Sequence, residues 1–252
     1  MLSNRQGRFS KITRSYLSFL CGLLNRSIFI FLLLTLPSLS LAQLAFNDVD
    51  YHQIPFKKVK PYIERQAIAQ TIEHFNELEP SCKNVEDFGT YQVYSRSYTI
   101  EQPLSVVWSM YKDSDPTSTW NTKKSKIGLV YLRNEDRLVY PSDSAGSARL
   151  GQVIYLNLRM LQGMYNLVTS LEITRLDEDE KTIEFNYVRG GINDGKQVIK
   201  LIENSNGQTV LTHMSIVHSE SPFRDRVIYP FFHNRLINAF HRNMRRLLEL
   251  NS

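Results

Sequence analysis

The sequence predicts an α+β fold in which a curved antiparallel sheet of about seven strands wraps a long C-terminal helix, with two short helices after the first strand. Three observations carry this reading. From Tyr91 onward the apolar residues recur with a period of two, in runs divided by turn-forming residues. After Pro222 the pattern changes to one long amphipathic helix. Between the first two strands, Pro103 opens a helical stretch too short to be stable alone, so it must pack against something the rest of the chain builds.

Taken in order, the chain begins with 42 residues that carry Arg5, Arg8, Lys11, Arg14 and Arg26 and no acid. The apolar run Ile28 to Leu36 and the small residues Ser40 and Ala42 follow. A basic leader, a short apolar core and small residues at the third and first positions before a cut form a secretory signal, with cleavage expected after Ala42 and export to the periplasm or the exterior. The alternative is an uncleaved N-terminal anchor, because Tyr16 to Leu24 is also apolar. Asn25-Arg26 interrupts the two runs, and a span wants about 20 predominantly apolar residues. The chain holds 30 basic and 25 acidic residues, and 5 of the basic ones lie in this leader, so the remainder is balanced. The net charge of +5 therefore gives no support to a nucleic-acid partner. With Cys21 removed, Cys82 stands alone, an intramolecular disulfide is impossible, and a core must hold the fold. Cys82 has no histidine near it in sequence and reads as a bystander.

Residues 43–90 read as a helical extension, and residues 91–252 as the main domain. Behind Pro61, the residues Tyr62, Ile63, Ile68, Ile72, Phe75 and Leu78 recur at helical spacing, predicting a helix that stops before Pro80 and lies across the main body. The predicted strands are Tyr91 to Ile100, Lys126 to Arg133, Gly151 to Met160, Tyr165 to Leu176, Lys181 to Arg189, Lys196 to Glu203 and Gln208 to His218. Turn chemistry at Asp177-Glu178-Asp179-Glu180, Gly190-Gly191 and Asn204-Ser205-Asn206-Gly207 makes the last four a meander of hairpins. Ile183, Phe185 and Tyr187 fall on one face of it. Pro103 suits the first turn of a helix whose inner side is Leu104, Val107, Trp108 and Tyr111, and a second turn near Asp115-Pro116 presents Trp120. From about Asp225 to Leu250, Phe232, Leu236, Ile237, Phe240, Met244, Leu247 and Leu248 fill one arc of a helix and Arg235, Arg242 and Arg246 the other.

This order of elements, with the "VVW" helix at Val106 to Trp108, the "YVRGG....GK" hairpin at Tyr187 to Lys196 and the "NGQTVLTH" approach to the last strand, resembles the helix-grip fold of the START-like, or SRPBCC, superfamily. The resemblance runs from Tyr91 to Leu250. It implies that the two short helices plug the open end of the sheet and that a hydrophobic small molecule or lipid is held between sheet and long helix, with transient membrane contact and no covalent chemistry. Two other functions stay open: a cyclase/dehydrase-type enzyme using the same cavity, and an interaction module with a filled core acting through its surface.

Catalytic signatures such as GxSxG, a Walker loop, GxGxxG or HExxH are absent, and no cofactor is expected. His213 and His218, five apart on a strand, point to opposite faces. His233 and His241, eight apart on a helix, are about 12 Å apart along its axis, so no metal site is expected. His233 falls within the apolar arc and is either a core histidine bonded to a backbone carbonyl or a tyrosine hydroxyl, or a polar anchor for a ligand head group. Trp108, Trp120, Tyr131, Tyr187, His213 and Phe240 are the other candidate cavity residues, each equally readable as core. Arg189 is a candidate rim cation, readable also as merely solvated.

Overall fold

A computed structural model describes residues 43–82 and 88–250. The expected secretory leader lies outside the described residues. Eight strands form one antiparallel sheet: β1 Gln92–Ile100, β2 Ser125–Leu132, β3 Arg137–Val139, β4 Gln152–Met160, β5 Tyr165–Asp177, β6 Thr182–Tyr187, β7 Asp194–Glu203 and β8 Thr209–His218. Their order across the sheet is β1-β8-β7-β6-β5-β4-β2-β3, so β5 to β8 form the expected meander and β1 closes against β8. The strand not foreseen is β3, whose three residues are too few to show a period. The helices are α1 Val59–Gln70, α2 Leu104–Asp113, α3 Pro116–Thr119 and α4 Tyr229–Leu250. The expected start of α4 at Asp225 is instead a π-helical turn, Arg224–Ile228.

The inner face of the sheet grips α4. Phe240, Met244 and Leu248 of α4 lie in one buried cluster with Ile183 and Phe185 of β6, Ile199 of β7 and Leu211 of β8. Val107, Trp108 and Tyr111 of α2 turn into the same cluster, which is what stabilises so short a helix. Asn243 fixes α3, since its Nδ2 donates to the carbonyl oxygens of Ser118 at 2.9 Å and Thr119 at 2.8 Å. Both carbonyls lie at the helix C-terminus, where the helix itself runs out of N–H partners. Trp120, next in the chain, then stacks on Phe240 with ring centroids 4.2 Å apart.

The outer face is covered as well. Val59, Tyr62 and Ile63 of α1, with Phe46 and Phe75, bury Leu129, Tyr131, Val153 and Tyr155 of β2 and β4. Gln66 reaches β5 and the start of the β6–β7 hairpin, donating to the Ser170 hydroxyl at 2.9 Å and the Arg189 carbonyl at 3.1 Å. The hairpin there needs Gly190: its φ is +77°, and a Cβ would sit 3.0 Å from the Ala69 methyl. The helix expected to run on to Leu78 ends at Gln70, where Thr71 turns left-handed at φ 57°. Phe75 then enters in a 3-10 turn and packs against Phe46 and Tyr131 at 4.5 and 5.1 Å. Ile68 is 78% exposed, because it lies about 140° round the helix from Ile63.

Candidate functional site

Between the inner face and the first half of α4 lies a cavity of about 410 Å³. The sheet supplies Leu156, Leu158, Leu171, Phe185 and Ile199, and α4 supplies Leu236 and Ile237. Most of the wall is therefore apolar, and the polar exception is concentrated where β6, β7 and β8 face the start of α4. Gln197 projects inward in phase with Ile199 and Leu201, and its register partner across the ladder is Ser215. His213 is inward for the same reason, in phase with Leu211 and Ser215.

These residues form one hydrogen-bonded chain. Tyr111 Oη lies 2.8 Å from His241 Nδ1, His241 Nε2 lies 2.8 Å from His213 Nδ1, and His213 Nε2 lies 3.0 Å from Gln197 Oε1. Ser215 Oγ donates to the same Oε1 at 2.5 Å and lies 2.5 Å from His233 Nε2. Gln197 Nε2 donates to the hydroxyls of Tyr187 at 2.9 Å and Tyr229 at 3.0 Å, which are 2.9 Å from each other.

The direction of the chain follows from valence. A carboxamide oxygen only accepts, so His213 donates from Nε2 and accepts at Nδ1; His241 then donates from Nε2 and accepts from the Tyr111 hydroxyl. The reverse order would strand the Tyr111 hydroxyl hydrogen in a buried core. Ser215 directs its one hydroxyl hydrogen at Gln197, so His233 donates from Nε2 and keeps an acceptor lone pair on Nδ1. Every member of the chain is uncharged. Burial drives the His213 imidazolium down to a pKa of about 3 and holds those of His233 and His241 well below the usual histidine value. Burial pushes the Tyr229 phenol up to about 12 and that of Tyr187 well above its ordinary value. The cavity thus ends in a neutral polar patch able to exchange hydrogen bonds, not charge.

Of the candidates read from the sequence, the structure brings Trp120, Tyr187, His213 and His233 together on the cavity wall. Phe240 stands behind Trp120. Trp108 is 2% exposed in the core under α2, outside the cavity lining. Tyr131 is on the opposite face of the sheet, its hydroxyl donating to Asp136 Oδ1 at 2.8 Å. Arg189 pairs with Glu79 at 2.9 Å on the surface and does not line the cavity. His233 is bonded to a serine hydroxyl, a partner not foreseen, and lines the cavity as well. Gln197, Ser215 and Tyr229 were missed, as was the role of His241. The signal was available for Gln197, a polar residue in phase with the inward-facing Ile199 and Leu201, whereas Ser215 shares its inward series with the polar Thr209 and His213 and does not stand out. Among the described residues no group of three His, Cys, Asp or Glu is arranged to hold a metal ion. Cys82 is buried, its thiol facing the Gly195 carbonyl at 3.4 Å and pushed to a higher pKa by burial.

Toward solvent the wall changes character: Lys124, Arg159, Arg224 and Arg235 line it with no acidic residue among them. Arg224 is tethered, donating to the Ile192 carbonyl at 2.6 Å and to Asn193 Oδ1 at 2.7 Å.

In architecture this is a helix-grip α+β domain, with its cavity in the grip. No protein-family model and no curated protein sequence matches the chain. Solved structures similar to it include norcoclaurine synthase from Thalictrum flavum in complex with dopamine and hydroxybenzaldehyde, at 10% identity and a TM-score of 0.46 over 68% of this chain and 94% of that one. Major latex-like protein 151 from Panax ginseng is similar at 12% identity and a TM-score of 0.45, over 61% of this chain and 95% of that one.

Proposed function

We propose that the protein binds and carries a hydrophobic small molecule or lipid in the cavity between the sheet and α4, without changing it covalently. The supporting observation is the cavity itself: about 410 Å³, largely apolar, with one neutral polar patch at its inner end. That is the composition of a small-molecule site, in which apolar walls supply affinity and a few polar groups fix orientation. His233 Nδ1, an acceptor, and the Tyr187 and Tyr229 hydroxyls are the groups that orient a cargo bearing an uncharged polar end. The protein works outside the cytoplasm as residues 43–252, and cargo of this kind enters by transient contact with a membrane.

Native mass spectrometry of the purified protein, followed by organic extraction, tests the reading. An apolar species recovered unchanged supports carriage. A modified product, or turnover on incubation, replaces it with an enzyme using the same cavity, and a protein with nothing bound and no uptake of added lipid removes both. Intact mass of the exported fraction tests the rest: a chain starting at Gln43 is expected, and one retaining Ile28 to Leu36 in the membrane fraction overturns the location.

A further inference from the structure

We propose that the mouth of the cavity is a docking surface for an anionic lipid bilayer; this rests on the carriage reading and names the membrane from which cargo would pass. Seven of the thirteen large hydrophobic residues that are exposed among the described residues lie on two short stretches. One is the β4–β5 turn, with Leu161 at 55% exposure and Met164 at 86%. The other is the π-helical turn and start of α4, with Phe223 at 66%, Val227 at 53% and Phe231 at 50%. Leu161 and Ile228, one from each stretch, both line the cavity, so the stretches flank a single opening.

The charged side chains that line that opening are cations. Lys124, Arg159, Arg224 and Arg235 contribute to its wall and no carboxylate does. Residues 159 to 165 contain no acid. On the helix side, Asp225 is buried, accepts from the Ser219 backbone and hydroxyl at 2.7 and 2.6 Å and lies 3.6 Å from Arg224 Nε, so it offsets Arg224 and the positive charge of the wall rests on Lys124, Arg159 and Arg235; Glu220 is an exposed acid before the turn. Exposed Phe, Met and Leu interleaved with Arg and Lys match an interface of acyl chains beneath anionic head groups. A second copy of the chain fits worse, because a twofold contact would set these cations against their own copies. Docking here would place the apolar cavity against the acyl layer, with water excluded along the path.

Co-sedimentation of the purified protein with phosphatidylcholine vesicles, with and without phosphatidylserine, tests the docking. Partition onto the phosphatidylserine vesicles is expected to be at least about tenfold stronger and to weaken with added salt. Replacing Met164 and Phe223 together by Ser, both outside the cavity wall, should lose about tenfold of that binding while co-purified cargo is retained. Replacing Arg159 and Arg235 by Gln should abolish the preference for phosphatidylserine. Equal binding to both vesicles, binding to neither, or wild-type binding by both variants overturns the proposal, as does light scattering showing a dimer that the same substitutions dissolve. Docking and carriage fail separately: cargo without vesicle binding removes docking alone, whereas vesicle binding by a protein that takes up no lipid removes carriage.

Discussion

At the scale of single residues, Gln197 and His233 hold opposite places in the polar chain. Gln197 uses all four of its hydrogen-bonding positions, accepting from His213 and Ser215 and donating to Tyr187 and Tyr229. Gln197→Leu leaves the His213 Nε2–H and the Ser215 hydroxyl without their acceptor in a buried site, and a stranded buried donor costs about 1–3 kcal/mol. A loss of at least that size in denaturant unfolding is expected. His233 ends the chain, so His233→Ala removes only one donor to Ser215 and is expected to lower ligand retention by about 0.5–1.5 kcal/mol, with the smaller effect on unfolding. Arg242→Ala, on the solvated side of α4, is the control. The ranking is what matters: if His233→Ala destabilises more than Gln197→Leu and leaves cargo untouched, His233 is a core histidine only. Both residues were within reach of the sequence in part. His233 stood out inside an apolar helical arc, but its partner could not be read, because whether Ser215 meets it depends on the register of β8 under α4.

The same residues set a pH dependence. The imidazolium pKa values of His213, His233 and His241 lie below 6.5 in the folded protein, His213 at about 3. Below 6.5 the unfolded chain takes up protons that the folded one refuses, so stability is fully present above that pH and falls as the pH drops toward about 3. Each histidine steepens the fall by about 1.4 kcal/mol per pH unit within its own window. Denaturant midpoints from pH 7 to pH 4 check this, and a profile that is flat or rises toward acid rules out three buried neutral histidines.

Among the elements, the segment before β1 is tied down by more than its apolar contacts. Arg133, at the end of β2, donates to the carbonyls of Asn76 at 2.6 Å and Leu78 at 2.9 Å, and its Nε and Nη2 lie 3.1 and 3.0 Å from the Glu172 carboxylate on β5. The pair is mostly buried, with side-chain exposures of 24% and 8%. Arg133→Met is expected to cost about 2–3 kcal/mol, below the 3–5 kcal/mol for a fully buried pair because Arg133 keeps some solvent. It should also speed proteolysis within residues 72 to 80. An unchanged unfolding midpoint with unchanged cleavage would show that Phe46, Ile63 and Phe75 hold the segment unaided. The elements themselves were largely legible: the strands follow from periods of two or, for β2, from an apolar run between turns, and α4 from a period of 3.6. The end of α1 did not, since Ile72, Phe75 and Leu78 continue its spacing while the backbone leaves the helix at Thr71 to bring Phe75 under Tyr131. Tyr131 was misplaced for a related reason. β2 reads as a nearly continuous apolar run, and such a run belongs to a strand buried on both faces, so alternation could not say which face holds the cavity.

For the molecule as a whole, the described residues form two cores on either side of one sheet, and the inner one holds the cavity. Voids closed off in a protein core forgo about 24 cal/mol per Å³, which for about 410 Å³ gives an upper figure near 10 kcal/mol for a sealed, dry space. That is as large as the whole stability of an ordinary domain. The open mouth relieves part of it, yet filling the space with larger side chains would relieve more. Leu167 and Leu236 are partly buried on facing walls of the cavity, one on β5 and one on α4. Replacing both by Trp is therefore expected to exclude cargo from the protein while leaving the unfolding midpoint equal to wild type or higher. Thermal unfolding of delipidated samples and mass spectrometry of the purified variant read the two effects independently. Loss of cargo with stability kept means that the volume serves an occupant; cargo kept in full after both substitutions would place it elsewhere on the molecule and remove the cavity from its function.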